Sequence, residues 1–457
     1  MENQGENSSS CRRLRVVMFP LPFQGHINPM LQLANILYSK GFLITIIHTN
    51  FNSRYTSKYP HFTFRPVLDN DSKNNNLSML SSKGIDDPLS YNLMMINYCI
   101  DSFTHCLTKL LENEPVACMI SDSVWHFTQS VADSLKLSRI VLRASSMSCI
   151  PVYATLPFVS EKGYVKTAIK NEVVVVPMTK KDIDKVYKGG PEDAKLDLIS
   201  STIKETKAAS GIIVNTFKEL EETAFLAIAH DFRMPIFAIG PFHKYFQASS
   251  SSLLEQDRSF MSWLDLQPVN SVVYVSFGSI AQMGQAEFSE MAWGLANSKQ
   301  RFLWVVRPGL VSGSERVESL PDGFGEEVGE RGRIVKWAPQ QEVLAHKATG
   351  AFWTHSGWNS TLESICEGVP MICSPCSFDQ PINARCVTDV WKIGVMLDDE
   401  MDRDEIGNVI KKLIIDKEGD EMRQRSKALQ EKVNISLENG GSANQSLKDL
   451  VEYILSF

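Results

Sequence analysis

The sequence lacks any uninterrupted apolar run near the roughly 20 residues that cross a bilayer, so no membrane span is expected. Its first residues, MENQGENSSSC, are polar and hold no apolar stretch of the kind a signal peptide needs, which points to a cytoplasmic protein. Clustered basic charge is also scarce: Arg12, Arg13 and Arg15 form the only group, just before a predicted strand. With a formal net charge of −7, neither nucleic acid nor an anionic membrane is expected as a partner. The nine cysteines are scattered and odd in number, which suits free thiols rather than a disulfide framework. One pair, Cys373 and Cys376, has C-x-x-C spacing. Without a second such pair a zinc site is not expected, and the pair's place after a buried strand makes a redox role the lesser reading. No short-period repeat suggests a solenoid.

What the chain does have is length and a repeated grammar. At 457 residues it exceeds one ordinary core, and two domains of roughly 200 residues each are expected. "LRVVMFP" and "FLITIIHT" read as strands buried on both faces. Between them Met30, Leu33, Ala34 and Leu37 lie on one helical face. Asn28 is placed to cap that helix, with Pro29 at its first position and Gly41 past its end. The same β-loop-α-β pattern returns at "SVVYVSFGS" and at "GAFWTHSGWNSTLESICEG". This predicts an α/β protein with two Rossmann-like domains whose parallel sheets face across a cleft. The serine-rich stretch 244–257 marks the join. The boundaries follow as 1–245, 246–440 and a helical tail, 441–457, that packs back on the first domain.

The richest stretch runs from Trp337 to Gln380, "WAPQQEVLAHKATGAFWTHSGWNSTLESICEGVPMICSPCSFDQ". A buried strand, "GAFWT", leads through "HSGW" into a helix opening near Asn359 or Ser360. The free N–H groups and dipole of such a helix start form an anion site. His355, Asn359 and Ser360 add donors suited to phosphate, and Glu363 can accept from ribose hydroxyls. Asp379 and Gln380 follow the next strand at a carboxyl end, where α/β folds place ligands.

This stretch closely resembles the signature box of plant secondary-product UDP-glycosyltransferases, with W-A-P-Q, H-x-G-W-N-S, Glu363, G-V-P and the closing D-Q. "PFQGHINP" and "SFGS" are landmarks of the same family in the same order, so the resemblance spans the chain. "LQLANILYSKGF", "HTNFN" and "PHFTF" bring it nearest the group containing cytokinin and steviol-glycoside glucosyltransferases. The resemblance implies a GT-B fold and a UDP-glucose co-substrate. Trp337 would stack on uracil and the Ala338 backbone would bond it. Gln340 and Glu363 would hold ribose. Ser279, His355, Asn359 and Ser360 would hold the diphosphate. Trp358, Asp379 and Gln380 would contact the sugar, with the final Gln favouring glucose. Relatives often carry a threonine where this chain has Ala144, and Ser145 is the candidate to replace its sugar contact.

His26 follows the first strand, so it too sits at a carboxyl end facing the cleft. Sugar transfer to an alcohol needs a base, and imidazole suits that task. Asp122, just after another apolar strand, supplies a partner for its second ring nitrogen. A single displacement inverts the anomeric centre, so an α-linked donor gives a β-glucoside. Three Asp-x-Asp pairs, Asp69/Asp71, Asp182/Asp184 and Asp402/Asp404, lie in polar runs and read as solvated, so no metal is expected. The acceptor pocket is expected from loops 70–100, 145–160 and 180–205, lined by Phe23, Trp125, Met147, Phe158 and Phe378. Its apolar character suits a terpenoid, a terpenoid glycoside or a phenolic. A monomer is expected. Competing readings are an acceptor of hormone type, such as a cytokinin or a carboxylic acid, a GT-B epimerase, and a non-catalytic nucleotide-sugar-binding relative.

Overall fold

The computed structural model describes residues 14–49, 53–67, 88–156, 175–187, 192–246, 254–312, 320–397 and 402–457. The strands predicted from apolar runs form two wholly parallel sheets. The first contains β1 (Arg15–Phe19), β2 (Leu43–His48), β3 (Thr63–Pro66), β4 (Val116–Asp122), β5 (Arg139–Arg143), β6 (Gly211–Val214) and β7 (Ile236–Ala238). The second contains β8 (Val272–Ser276), β9 (Arg301–Val305), β10 (Gly332–Val335), β11 (Thr349–Thr354), β12 (Met371–Cys373) and β13 (Gly394–Met396). Both are buried on two faces by helices, which explains why their strands read as continuous apolar runs.

The strand orders are β3-β2-β1-β4-β5-β6-β7 and β10-β9-β8-β11-β12-β13. Each order reverses direction once, between β1 and β4 in the first sheet and between β8 and β11 in the second. Such reversals open a crevice at the carboxyl ends of the strands. The architecture is the expected two-sheet GT-B arrangement. The final helix, Ser442–Leu455, lays Leu447, Leu450 and Ile454 into the core of the first sheet, and Tyr453 donates to the Ser210 carbonyl at 2.7 Å.

One local expectation is corrected. The first helix is Gln24–Ser39, with Phe23 at its N-cap and Pro29 inside it. His26 N–H and Ile27 N–H both bond to the Phe23 carbonyl, at 2.9 and 2.8 Å. The helix therefore starts almost directly after β1, and His26 belongs to its first turn rather than to a free loop. Asn28 is no cap. Pro29 lies past that first turn, where its missing N–H leaves the Gly25 carbonyl without its intrahelical donor.

Candidate active site

The two strand-order reversals face each other across one open cavity of about 520 Å³. On the first sheet, β1 delivers His26 and β4 delivers Asp122. His26 Nδ1 lies 2.7 Å from Asp122 Oδ2, and Asp122 Oδ1 accepts from the Val124 N–H at 3.0 Å. Asp122 is fully buried, so its two acceptor atoms are fixed by one ring nitrogen and one backbone donor. The bond to Asp122 assigns the proton to Nδ1 and leaves the Nε2 lone pair for the cavity, which His26 lines. Burial pulls the His26 pKa down, but the Asp122 charge, its hydrogen bond and the charge of Asp379 outweigh that and hold it above the ordinary imidazole value.

On the second sheet, β8 leads to Gly278 and Ser279, and β11 leads to His355. The helix Trp358–Cys366 then starts with Gly357 at its N-cap. A side-chain carbon on Gly278 would sit 2.7 Å from His355 Cε1, and one on Gly357 would sit 2.6 Å from Nε2. Two glycines therefore admit the imidazole, and Gly278 also holds a left-handed φ of +67°. Burial, helped by the Arg307 charge, pushes His355 down to about 4, so it is neutral near pH 7. Its Nδ1 is buried without a hydrogen-bond partner. Arg307, which the sequence reading missed, bonds the Gly278 carbonyl at 2.9 Å and also reaches the Ala281 carbonyl. It pins the loop that carries Ser279.

Trp337, Ala338, Gln340 and Glu363, the residues expected to hold a nucleoside, all line the cavity. Gln340 Nε2 donates to Ser360 Oγ at 2.9 Å and to Glu363 Oε2 at 2.8 Å, while Gln341 Nε2 donates to Glu363 Oε1 at 2.9 Å. Burial raises the Glu363 pKa, and these two amides pull it part of the way back. Two acceptor oxygens are thus held in place at the mouth of a buried site. Gln341 was not foreseen.

Between the two walls lie Ser145, Ser279, Asp379 and Gln380, all lining the cavity. Gln380 Oε1 accepts from the N–H groups of Cys376 and Ser377, at 2.8 and 3.2 Å, which turns its Nε2 outward. Asp379 accepts from Asn383 Nδ2 at 3.0 Å. Burial raises the Asp379 pKa, against that bond and the charges of His26 and Arg143.

Several expected side chains serve elsewhere. The Trp358 indole donates to the Asn215 carbonyl at 2.9 Å, which ties the two halves together, while the residue also lines the cavity. Asn359 Nδ2 likewise reaches the Gly25 carbonyl at 2.8 Å. Trp125 does not line the cavity: the turn at Val124 folds it inward, where it stacks on Phe19 with ring centroids 4.9 Å apart. Met147 is also core, because its backbone N–H is drawn to the buried Glu221 carboxylate at 3.0 Å. Phe23 and Phe378 line the cavity. Phe158, Asp69 and Asp71 lie outside the described residues, as do parts of the three acceptor loops.

The Asp-x-Asp reading needs correction at Asp182; Asp184, Asp402 and Asp404 are exposed, as expected. Asp182 is buried, bonds Thr179 N–H at 2.7 Å and takes Arg385 Nε at 2.9 Å. Asp402 caps the helix Arg403–Ile414 through the N–H groups of Asp404 and Glu405. Neither Cys373 nor Cys376 is in a disulfide, and burial in β12 pushes the Cys373 thiol up to about 12.

One wall of the cavity thus suits a nucleoside diphosphate, and the opposite wall can take a proton from an incoming hydroxyl. That pairing defines a transferase that works from a nucleotide-activated donor. The model of the family described as "UDP-glucoronosyl and UDP-glucosyl transferase" matches residues 244–427. The chain is 51% identical to UDP-glycosyltransferase 76G1 of Stevia rebaudiana, over 100% of both chains. It is 45% identical to UDP-glycosyltransferase 76B1 of Arabidopsis thaliana, over 97% of this chain and 98% of the relative. Among solved structures it resembles Phytolacca americana UGT2 complexed with UDP-2fluoro-glucose and pterostilbene, with a TM-score of 0.79 and 26% identity over 96% of this chain and 99% of the other. The chain belongs to the plant UDP-glycosyltransferases, enzymes that transfer a glycosyl group from a UDP-sugar. No helix among the described residues is long and apolar enough to cross a membrane.

Proposed function

We propose that this enzyme is an inverting, UDP-glucose-dependent glucosyltransferase that adds a β-glucosyl group to a small lipophilic plant metabolite, with His26 as general base. The observation that carries the reading is the 2.7 Å contact between His26 and Asp122, opening into the cavity that holds the Trp337 to Gln380 residues. His26 Nε2 takes the acceptor hydroxyl proton as the new O–C1 bond forms. The C1–O bond to UDP breaks with its electron pair going to the diphosphate. Asp122 keeps Nδ1 protonated and stabilises the imidazolium formed. The Trp358 helix start and the donors around it receive the negative charge of the leaving group. No divalent ion is needed for this division of labour, a reading supported by Asp182 being occupied by Arg385 and Asp402 by a helix start.

The neighbours support a phenolic or similar aromatic class of acceptor. One was solved with pterostilbene, a Polygonum tinctorium enzyme is described as glucosylating indoxyl, and a relative 39% identical is named a flavonol 3-O-glucosyltransferase. The same reading makes the protein a cytoplasmic monomer. The test is His26→Ala with saturating UDP-glucose and an aliphatic alcohol acceptor. Turnover should fall by about 10²–10⁴ while UDP affinity stays near wild type. Equal turnover of the alcohol by both enzymes would remove His26 from the chemistry.

A further inference from the structure

Four arginines are buried among the described residues: Arg139, Arg143, Arg307 and Arg423. Three of them bond their surroundings. Arg139 reaches Ser121 Oγ, Gln129 Oε1 and the Glu205 carbonyl, at 2.8, 3.1 and 3.1 Å. Arg307 holds the Gly278 loop as described above. Arg423 takes the carbonyls of Gly350 and Leu413, at 2.6 and 3.1 Å.

Arg143 is the exception. It closes β5, the strand beside β4, and is 3% exposed. Its Nε is buried with no partner, and the guanidinium makes no hydrogen bond or ion pair among the described residues. It lies 6.0 Å from the Tyr153 ring centroid and senses Asp379 only through space, since that carboxylate is bonded to Asn383. Of the four, Arg143 is also the one that lines the cavity. A guanidinium removed from water without an acceptor is costly, and its planar fork fits a carboxylate with two parallel bonds. Lys195 lines the same end, 2% exposed, with Nζ 5.0 Å from the Phe378 ring centroid. Around these cations the wall is apolar, with Leu198, Ile199 and Ile203 on one helix.

We propose that Arg143 reads a carboxylate on the acceptor, so that the preferred acceptors are lipophilic hydroxy acids whose acid group pairs with the guanidinium while the hydroxyl faces His26. The fate of the hydroxyl rests on the glucosyl-transfer reading; recognition of the acid does not. The donor's diphosphate is a poor alternative occupant, because its proposed site lies at the β8 and β11 reversal of the other sheet.

The test measures binding without turnover. The UDP-loaded enzyme is titrated by calorimetry with 4-hydroxycinnamate and its methyl ester, and with 10-hydroxydecanoate and its methyl ester. In at least one pair the acid should bind about 10-fold or more tightly than the ester, the range of a charge-assisted bond. Arg143→Met should bring that ratio close to one, and Arg143→Lys, which keeps the charge, should retain much of it. Equal binding of acid and ester by wild type in both pairs would overturn the proposal, whatever the variants do. So would a ratio that survives in Arg143→Met, or a variant that changes only the affinity for UDP-glucose. Acid preference without glucoside formation would refute the transfer reading and leave the recognition of the acid standing.

Discussion

Asp122→Asn tests the His26 pair with the least disturbance of packing, and its sign can be worked out from the contacts. The two largest influences raising the His26 pKa are the Asp122 charge and its hydrogen bond. The amide removes the charge and leaves burial, the largest single influence, opposed mainly by the more distant Asp379. The pKa should therefore fall from above the ordinary imidazole value to below it. Because the neutral ring is the active base, the acidic limb of kcat/KM for an aliphatic alcohol should move to lower pH. The plateau should drop at the same time. Asp122 accepts two bonds, from Val124 N–H and from His26 Nδ1–H, and an amide has one acceptor atom. If its oxygen stays with Val124, its NH₂ faces Nδ1 and drives the ring proton to Nε2, where the base must be free. A charge-assisted bond contributes about 1.5–3 kcal/mol, which converts to about 10- to 150-fold in rate. The assay is a pH–rate profile from pH 5 to 9 with saturating UDP-glucose, plus a calorimetric UDP affinity as a control. A limb that stays in place or moves to higher pH would refute the reasoning, as would an unchanged plateau.

The donor wall makes separate predictions. Trp337→Ala should weaken UDP binding about five-fold or more, since stacking on a base contributes about 1–3 kcal/mol; calorimetry showing unchanged affinity would remove Trp337 from the nucleoside site. Turnover of dialysed enzyme in excess EDTA should match that in Mg²⁺, and activity lost to the chelator but restored by Mg²⁺ or Mn²⁺ would require a metal in the mechanism.

The sheets were legible because strands buried on both faces must be apolar throughout, and "LRVVMFP", "SVVYVSFGS" and "GAFWT" are. The positions of His26 and His355 after such strands were legible for the same reason. Side-chain direction was not. Trp125 and Asp122 are three residues apart, yet the turn at Val124 sends one into the core and leaves the other on His26. Asp182 looked solvated because its neighbours are charged; its partner, Arg385, lies 203 residues further on. Trp358 looked free for the sugar because Asn215, which holds its indole, is 143 residues away. Arg143 escaped notice because a cation after a strand is ordinary in sequence. What distinguishes it is the lack of a hydrogen-bond or ion-pair partner among the described residues, which only the packed structure can show.

The stretch "PLPFQGHINP" also gains a meaning that no local rule supplies. A residue at position 29 would normally donate its N–H to the carbonyl four residues earlier, which belongs to Gly25. Pro29 has no N–H, so that carbonyl is left for another donor, and Asn359 Nδ2 takes it at 2.8 Å from the other half of the protein. Gly25 precedes His26, and Asn359 is the second residue of the helix Trp358–Cys366, whose start is the proposed diphosphate site. The proline expected at a helix start therefore opens an acceptor inside the helix, and that acceptor ties the turn carrying His26 to the helix Trp358–Cys366. The Trp358 bond to Asn215 adds a second tie one residue away. The proposed single displacement needs the acceptor oxygen, the anomeric carbon and the leaving diphosphate oxygen in one line, with the base at the acceptor hydroxyl, while the groups that would hold them are carried on separate halves of the protein. Two consecutive residues of the helix Trp358–Cys366, bonded to the backbone of Asn215 just past β6 and of Gly25 in the first helix, tie the two halves together where the proposed mechanism requires that alignment.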